Sequence, residues 1–262
     1  MSRLRFPLML LCGASAAAAA CSDAPTAGEP FSLAFDRLPF TAVVLGDTLR
    51  DTSGAAVLPG AVVYGGDGSP IADAEISYLL LDRGATLVDG RWIVGDSLGA
   101  TVRVVAEAAG IPSLPVQFQV VPRPDSLSLE TAQLDTARYQ PRARISPEDT
   151  TGRIEVRVLH RPQAGEPVGV ARWLVRYDVE LFDGDAAVAN DSLAIVVGEG
   201  GRASVLDTTD AEGRAWRQVT LNGARTAIDA VDSLVVSVTI LGRPAGTVIP
   251  SLVRLAVPVR PR

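Results

Sequence analysis

The hydrophobic residues that follow residue 30 recur at every second position, in short runs separated by turn-forming residues. In one run, Ile154, Val156 and Val158 alternate with charged residues, which places all three on one face of an extended segment. The same alternation occurs in five runs, at residues 100–106, 153–159, 173–181, 233–240 and 252–257. A period of two predicts strands with one buried and one solvated face, which is typical of antiparallel sheets.

No stretch after residue 30 keeps the 3.6-residue spacing of an amphipathic helix. Glycine, proline, aspartate and asparagine punctuate the runs instead, at residues 65–70, 89–90, 183–185, 200–201 and 222–223. Strands that follow one another at intervals of about 8–12 residues, with no helix between them, are typical of β-sandwiches and barrels. The sequence therefore predicts an all-β protein built from antiparallel β-sandwiches.

Two closely spaced prolines, Pro122 and Pro124, mark a break in the series of strands, because they stiffen the chain and end the preceding strand. A chain of 262 residues is long enough for two domains of about 100 residues each. We therefore expect two sandwich domains in tandem, residues 31–122 and 123–262, of which the first is the more acidic. Residues 137–151 lack a clear alternation and are expected to form a loop in the second domain.

The N-terminal residues have the pattern of an export signal. Arg3 and Arg5 precede an apolar stretch, residues 8–20, which is shorter than the about 20 residues that cross a bilayer as a helix. Residues 21–30 are polar and contain glycine and proline, as expected of a flexible tether. Residues 1–20 are therefore expected to be a signal peptide that is absent from the mature protein.

The residues Ala19-Ala20-Cys21 resemble the end of a bacterial lipobox, although Ala18 stands where that motif usually has leucine. The resemblance implies that Cys21 is lipidated and becomes the mature N-terminus. Ser22 does not resemble the inner-membrane retention signal of enterobacteria, which favours the outer membrane, with the protein facing the periplasm or the cell surface. The alternatives are an ordinary signal peptide cut at an Ala-x-Ala site and an uncleaved membrane anchor.

Charge and composition exclude several kinds of chemistry. All 24 basic residues are arginine and 30 residues are acidic, so the net charge of −6 argues against binding nucleic acid through its phosphates. Without lysine, the chain cannot form a Schiff base or a P-loop. His160 is the single histidine, and Cys12 would leave with the signal peptide. We therefore expect no metal site, no cofactor and no disulfide in the mature protein.

Two segments of the chain resemble bacterial Ig-like domains. Residues 84–106 resemble the distal half of such a repeat. Residues 209–221 begin with Thr-Asp-Ala-Glu-Gly-Arg-Ala and resemble the turn and strand of Ig-like modules in invasin- and intimin-type surface proteins. The resemblance implies two Ig-like sandwiches after a cleaved signal peptide, with a binding or spacer role outside the cytoplasm.

Tryptophan and arginine side chains are the main candidates for a binding surface, because both types are enriched at binding hot spots. Trp173 lies on an alternating strand and is expected in the core, where Ig-like sandwiches often bury one such ring. The other two tryptophans either pack or face a ligand beside neighbouring arginines. The candidate ligand-binding residues are Trp216, Arg214, Arg217 and Trp92.

The remaining polar groups have simpler interpretations. Aspartates in residues 183–185 and 207–213 are candidate calcium ligands, but neither spacing fits an EF-hand loop, and tight turns prefer aspartate and glycine anyway. Arg138, Arg142 and Arg144 form either an anion-binding cluster or a solvated loop. The single histidine has no Gly-x-Ser-x-Gly motif to serve and is expected at the surface. No catalytic residue is predicted.

These observations predict a non-enzymatic, lipid-anchored envelope protein whose Ig-like domains act as spacer or binding modules. Its partners would be the membrane, through the lipid on Cys21, and a glycan or an envelope protein, through the second domain. One alternative is a carbohydrate-binding or adhesive module with a specific glycan. Another is a hydrolase that uses a carboxylate pair, as glycosidases do.

Replacing Cys21 with alanine should give a form without an acyl chain that no longer partitions with membranes, because the thiol is the expected site of the lipid. Intact-mass spectrometry and detergent fractionation measure both effects. Cys12→Ala is the matched control and should leave lipidation unchanged. A wild-type mature N-terminus at another residue, with no acyl adduct, would contradict the assignment.

Overall fold

A computed structural model describes residues 28–38, 40–131, 136–146, 148–242 and 252–262. Within these residues the regular structure consists of β-strands and two short 3-10 helices, Glu199–Gly201 and Thr226–Ala230. None of the described helices is long and apolar enough to cross a membrane. The predicted signal peptide and Cys21 lie outside the described residues.

The first half of the chain, residues 28–121, holds one five-stranded sheet and two two-stranded sheets. Its strands are β1 (Pro30–Arg37), β2 (Ala42–Val44), β3 (Gly60–Gly65), β4 (Ser77–Leu80), β5 (Ala85–Val88), β6 (Trp92–Gly95), β7 (Thr101–Ala108), β8 (Ile111–Pro112) and β9 (Val116–Val121). The main sheet has the order β2-β9-β7-β4, with β8 also paired to β7, while β1 pairs with β3 and β5 with β6. Both small sheets pack against one face of β7. Val104 of β7 lies in the same buried cluster as Ile93 of β6, and Ala106 of β7 lies in the same buried cluster as Val63 of β3.

The second half, residues 126–262, is a larger sandwich of two sheets. Its strands are β10 (Ser126–Leu129), β11 (Ala137–Tyr139), β12 (Ile154–His160), β13 (Val168–Gly169), β14 (Leu174–Asp183), β15 (Ala186–Val188), β16 (Ala194–Val197), β17 (Leu206–Thr208), β18 (Arg214–Leu221), β19 (Ser233–Ile240) and β20 (Leu252–Pro261). One sheet has the order β10-β12-β18-β16, with β13 paired to β12. The other has the order β11-β20-β19-β14-β15, with β17 also paired to β14.

This strand order is that of an immunoglobulin sandwich. Strands β10, β12, β18 and β16 take the places of A, B, E and D, while β20, β19 and β14 take those of G, F and C. In the first half, β9, β7 and β4 repeat the G-F-C order. The predicted all-β sandwich fold is therefore confirmed, and its topology is of the immunoglobulin type.

The buried faces follow the predicted alternation. Val102 and Val104 on β7 and Ile154 and Val156 on β12 are completely buried, because each lies on the face that meets the opposite layer. Alternate residues on β14, together with the residue just before it, also face inward. Four of these side chains are buried, namely Trp173, Val175, Tyr177 and Leu181, and Val179 is half-buried. One set of side chains per strand thus builds the core and leaves the other set on the outer surface.

Two expectations need correction. Residues 137–151 were expected to form a loop, but Ala137 and Tyr139 are buried on β11, which pairs in parallel with β20. A three-residue strand is too short to show alternation, and its partner lies more than a hundred residues later. The sheets are also not wholly antiparallel, because β2 pairs in parallel with β9 at the corresponding place in the first half.

The two halves meet through the ring of Phe40. This ring is 1% exposed and lies 4.9 Å, centroid to centroid, from the ring of Trp173, which is buried as predicted. Trp173 Nε1 donates a hydrogen bond of 2.9 Å to the Leu241 carbonyl. The next residue, Gly242, donates its N–H to the Thr52 carbonyl of the first half at 3.1 Å. Because a Cβ at position 242 would overlap the Phe40 ring, glycine is required for this contact.

The connection between the halves is also held by polar contacts. Strand β9 ends at Val121 and β10 begins at Ser126, so the proline-containing connection lies between them, and no described strand of one half pairs with a strand of the other. Arg123 forms an ion pair of 3.3 Å with Asp47 of the first half, and its carbonyl lies 2.8 Å from His160 Nδ1 of the second. The domain boundaries at residues 31, 122 and 262 stay a prediction.

Gly242→Ala should destabilise the protein more than Gly46→Ala, as measured by the free energy of unfolding. The two glycines have similar φ angles, +69° and +72°, but a Cβ at position 46 meets nothing within 4 Å. The conformational cost is therefore shared, at about 1–2 kcal/mol, while overpacking against Phe40 adds about 1–3 kcal/mol only at position 242. Equal losses of stability in the two variants would show that the Phe40 contact is not formed.

Candidate ligand-binding groove

Each half carries a surface groove that contains one of the two tryptophans predicted to bind a ligand. The groove of the second half encloses about 630 Å³. It is lined by Trp216, Arg153, Ile145, Ser146, Thr150, Ile195, Val197, residues 198–201, Ala203, Gln218 and Thr220. The groove of the first half encloses about 650 Å³ and contains Trp92, Arg91 and Arg37. The two candidate tryptophans are therefore not brought together in one site.

The groove of the second half lies on the outer face of the sheet that contains β16 and β18. Along β18, Ala215 and Val219 point into the core, so Trp216 and Gln218 point outward. On β16, Val197 pairs with Gln218 and shares its outward face. An outward-facing position normally carries a solvated polar side chain, yet Trp216 is half-buried and Val197 is only 8% exposed.

Two loop segments shelter this apolar strip. On one side, Thr150 forms a β-bridge with Thr220, next to the loop residues Ile145 and Ser146 that line the groove. On the other side, Ala203 forms a β-bridge with Val197 after the short helix Glu199–Gly201. The loops leave the strip as the floor of a groove between two walls.

Arg153 lies over the ring of Trp216, with its guanidinium carbon 4.1 Å from the ring centroid. This is the geometry of a cation–π contact, which favours arginine above the electron-rich face of an indole. Glu155 is the residue opposite Trp216 on β12, and its carboxylate lies 3.8 Å from the guanidinium of Arg214. The tryptophan is thus held from one side and bordered by a short row of opposite charges.

Of the predicted binding residues on β18, Arg214 shares the outer face with Trp216, but Arg217 points the other way. Its guanidinium forms an ion pair of 2.8 Å with Asp207 and donates hydrogen bonds to the carbonyls of Leu206 and Ser204. The Arg217 side chain is only 12% exposed. Because Asp207 belongs to β17 on the opposite sheet, Arg217 joins the two layers of the sandwich rather than lining the groove.

The same ion pair borders a buried tyrosine. The hydroxyl of Tyr177 is buried without a hydrogen-bond partner in the described part of the chain. Burial, reinforced by the charge of Asp207, raises the pKa of Tyr177 far above its usual range and keeps the hydroxyl neutral. Tyr177 therefore acts as a core side chain.

The two aspartate-rich turns are closed by hydrogen bonds between aspartate carboxylates and backbone N–H groups. Asp210 Oδ1 accepts hydrogen bonds from the N–H groups of Glu212 and Arg214 at 3.0 and 2.8 Å, which closes the turn before β18. In the hairpin of residues 183–185, the N–H of Gly184 donates to Asp232 at 2.9 Å. Across the described residues, no group of three or more His, Cys, Asp or Glu side chains is arranged to hold a metal ion.

A third groove, of about 760 Å³, is lined by three carboxylates, Asp183, Asp229 and Asp232. Tyr139 donates its hydroxyl hydrogen bond to Asp229 at 3.0 Å, and burial together with this carboxylate raises the pKa of Tyr139 to about 12. The N–H of Gly184 and the hydroxyl of Ser233 lower the pKa of Asp232. A general acid of a glycosidase needs a raised pKa, so Asp232 lacks the property that this role requires.

Arg153, Ile195 and Val197 are groove residues that the sequence did not single out. The run Ala194-Ile195-Val196-Val197 is apolar at every position, which is unusual for a strand with one solvated face. That continuous run was the available signal for Ile195 and Val197. Arg153 lies over Trp216 only because β12 and β18 pair in a register that spans about sixty residues of sequence.

Comparison with known proteins gives similarity at the level of architecture. No family model matches the chain, and no curated protein matches it. Similar solved structures include the Yersinia pseudotuberculosis adhesin InvE, with 11% identity over 87% of this chain and 58% of that chain and a TM-score of 0.36. They also include the Escherichia coli adhesin FdeC, with 16% identity over 91% of this chain and 66% of that chain and a TM-score of 0.27.

A glycosyl hydrolase family 2 member from Bacteroides cellulosilyticus is similar as well, with 12% identity, 82% of this chain and 23% of that chain covered, and a TM-score of 0.28. The chain spans only 58% of the length of InvE. At these identities and TM-scores the similarities do not indicate a shared function.

Proposed function

We propose that the protein is a non-enzymatic, lipid-anchored component of the cell envelope that binds a carbohydrate in the Trp216 groove of its second half. Its first half acts as a spacer between the lipid on Cys21 and the binding half. The observation that carries the proposal is the apolar strip on the outer face of β16 and β18. Folding does not require a tryptophan at this position, because the opposite face of the same strands already forms the core.

The composition of the groove favours a carbohydrate. Binding pockets combine apolar and aromatic side chains with a few polar groups that fix the orientation of the ligand. Here Trp216 supplies a flat apolar ring and Ile195 adds apolar surface beside it, while Gln218 and Arg153 supply hydrogen-bond donors that suit hydroxyl groups. Glu199 is the single carboxylate among the described residues that line the groove, which leaves little charge to repel an acidic envelope glycan.

The same lining supports a role without catalysis. Glycoside hydrolysis by the usual route uses two carboxyl groups on opposite sides of the scissile bond. The described lining of the Trp216 groove offers one, and it belongs to Glu199, an exposed residue at the start of the short helix Glu199–Gly201. Such a site can bind a sugar and has no second group for the reaction.

The order of segments along the chain supports the spacer role. Cys21 and the tether come first, the first half follows, and the binding half comes last. Phe40 packs against Trp173 and Gly242, so the two halves are joined by a buried aromatic contact as well as by the proline-containing connection. A stiff junction of this kind holds the second half away from the point of attachment.

Trp216→Ala should weaken binding of an envelope glycan by roughly tenfold or more, because truncating a central aromatic residue removes about 1.4–2 kcal/mol or more of binding free energy. The ligand is first found by probing the detergent-solubilised full chain on glycan arrays, and its affinity is then measured by titration calorimetry. Trp92→Ala, which alters the half-exposed tryptophan of the other groove, is the matched control and should bind normally. An equal loss in both variants, or release of a hydrolysed product by the wild type, would contradict the proposal.

A further inference from the structure

We infer that the Trp216 groove selects a glycan that carries a carboxylate, such as a uronic acid or a sialic acid, and that Arg153 binds this carboxylate. The inference rests on the proposed function and names the chemical class of its ligand. Three observations carry it: the guanidinium of Arg153 has no anionic partner, the carboxylates around the groove are paired elsewhere, and the walls of the groove add positive charge.

Arg153 is the one arginine among the described residues that line the groove, and none of the described carboxylates pairs with it. It lies at an exposed position just before β12, with its guanidinium carbon 4.1 Å from the centroid of the Trp216 ring. The ring attracts the cation through its electron-rich face but does not provide acceptors for the five N–H donors of the guanidinium. These donors are therefore available to a ligand in the groove.

The tryptophan that holds Arg153 is itself fixed from behind. The N–H of Trp216 donates to Asp207 Oδ2 at 2.9 Å, and the Trp216 carbonyl accepts a hydrogen bond from Arg217, also at 2.9 Å. The ion pair between Asp207 and Arg217 thus grips the backbone that carries the indole. A long side chain that is already held in place loses less conformational entropy when it binds a ligand. Arg153 is therefore preorganised at the groove.

The carboxylates that border the groove are paired with other arginines. The carboxylate of Glu155 lies 3.8 Å from the guanidinium of Arg214. Glu148 and the buried Asp149, which lie in the loop that forms one wall, both form ion pairs with Arg262. None of these three carboxylates therefore takes the place of a ligand carboxylate in the groove.

The two walls of the groove add positive charge. Arg144 and Arg202 each lie next to a lining residue, one on each wall. Both are exposed, and the side chain of neither forms a hydrogen bond or an ion pair with a described residue. Together with Arg153 they outnumber Glu199, the single carboxylate of the described lining. A local excess of positive charge attracts an anionic ligand, even though the whole chain has a net charge of −6.

The lining of the groove favours a carboxylate over a phosphate. Its described charged residues are Arg153 and Glu199, whose charges cancel, so a phosphate monoester with about twice the charge of a carboxylate is compensated less well. A carboxylate is planar and accepts two parallel N–H bonds from one guanidinium. The apolar surface of Trp216 and Ile195 is then available to the sugar ring that carries the carboxylate.

Removal of the carboxylate from the ligand tests the inference with the full-length protein. The detergent-solubilised chain is probed on an array of uronic-acid, sialic-acid, sulfated and neutral glycans, before and after carbodiimide–borohydride reduction of the carboxylates to alcohols. The strongest binding should be to carboxylated glycans and should weaken about tenfold on reduction, as expected when a charged hydrogen-bond partner is lost. Strongest binding to neutral or sulfated glycans, or binding that reduction leaves unchanged, would overturn the inference alone. Binding to no glycan would overturn the proposed function with it.

Substitution of Arg153 tests whether this residue binds the carboxylate. In titration calorimetry with the carboxylated glycan that the array ranks highest, Arg153→Gln should bind about tenfold more weakly but should bind the reduced glycan as the wild type does. Arg83→Gln, which removes an exposed, unpaired arginine of the first half, is the matched control and should bind both forms normally. Trp216→Ala should weaken both forms, which tests the proposed function separately. Equal weakening of both forms in Arg153→Gln, or no weakening of either, would overturn the assignment.

Discussion

The contact between Phe40 and Trp173 is the interaction on which the arrangement of the molecule depends. It places an aromatic side chain of the first half against the beginning of a central strand of the second, and it is formed only because position 242 has no side chain. Trp173 is fixed in turn by its hydrogen bond to the Leu241 carbonyl. The core residue of one sandwich is therefore also the attachment point of the other, which makes the junction part of the fold rather than a flexible linker.

The outer surfaces then become available for binding. In the second half, the inward faces of the two sheets build the core, and the ion pair between Arg217 and Asp207 joins the layers at the side of Tyr177. The outward strip around Trp216 is covered only in part, by Arg153 and by the two loop segments that border the groove.

The sequence predicts those features that depend on neighbouring residues. Period-two alternation identifies the buried faces of β7, β12 and β14, and it places Trp173 in the core. Applied to β18, the same rule directs Arg217 inward, because positions 215 and 219 lie on the inward face. The expectation that Arg217 shares a binding patch with Arg214 and Trp216 followed their closeness in sequence instead of this alternation, and it is wrong for Arg217. The turn residues predict where strands end because glycine and aspartate accept the required backbone angles.

The features that the sequence does not predict depend on pairing between distant residues. Strand β11 is defined by its partner β20, and the stacking of Arg153 on Trp216 follows from the register of β12 with β18. Phe40 shows no signal of its own, because its burial depends on a glycine two hundred residues later. These contacts between distant residues determine both the junction and the candidate groove, and local sequence patterns cannot show them.

The distance between the two halves tests the central claim that Phe40 fixes them in one arrangement. Spin labels can be attached at the exposed positions Leu98 and Val168, one in each half, as Leu98→Cys and Val168→Cys in a background without the two native cysteines. Double electron–electron resonance, with the labelled protein diluted in unlabelled protein, then gives the distance distribution within one chain. The Phe40–Trp173 junction predicts a single narrow distribution that becomes broad in Phe40→Ala. A broad distribution in the wild type, or one that Phe40→Ala leaves unchanged, would contradict it.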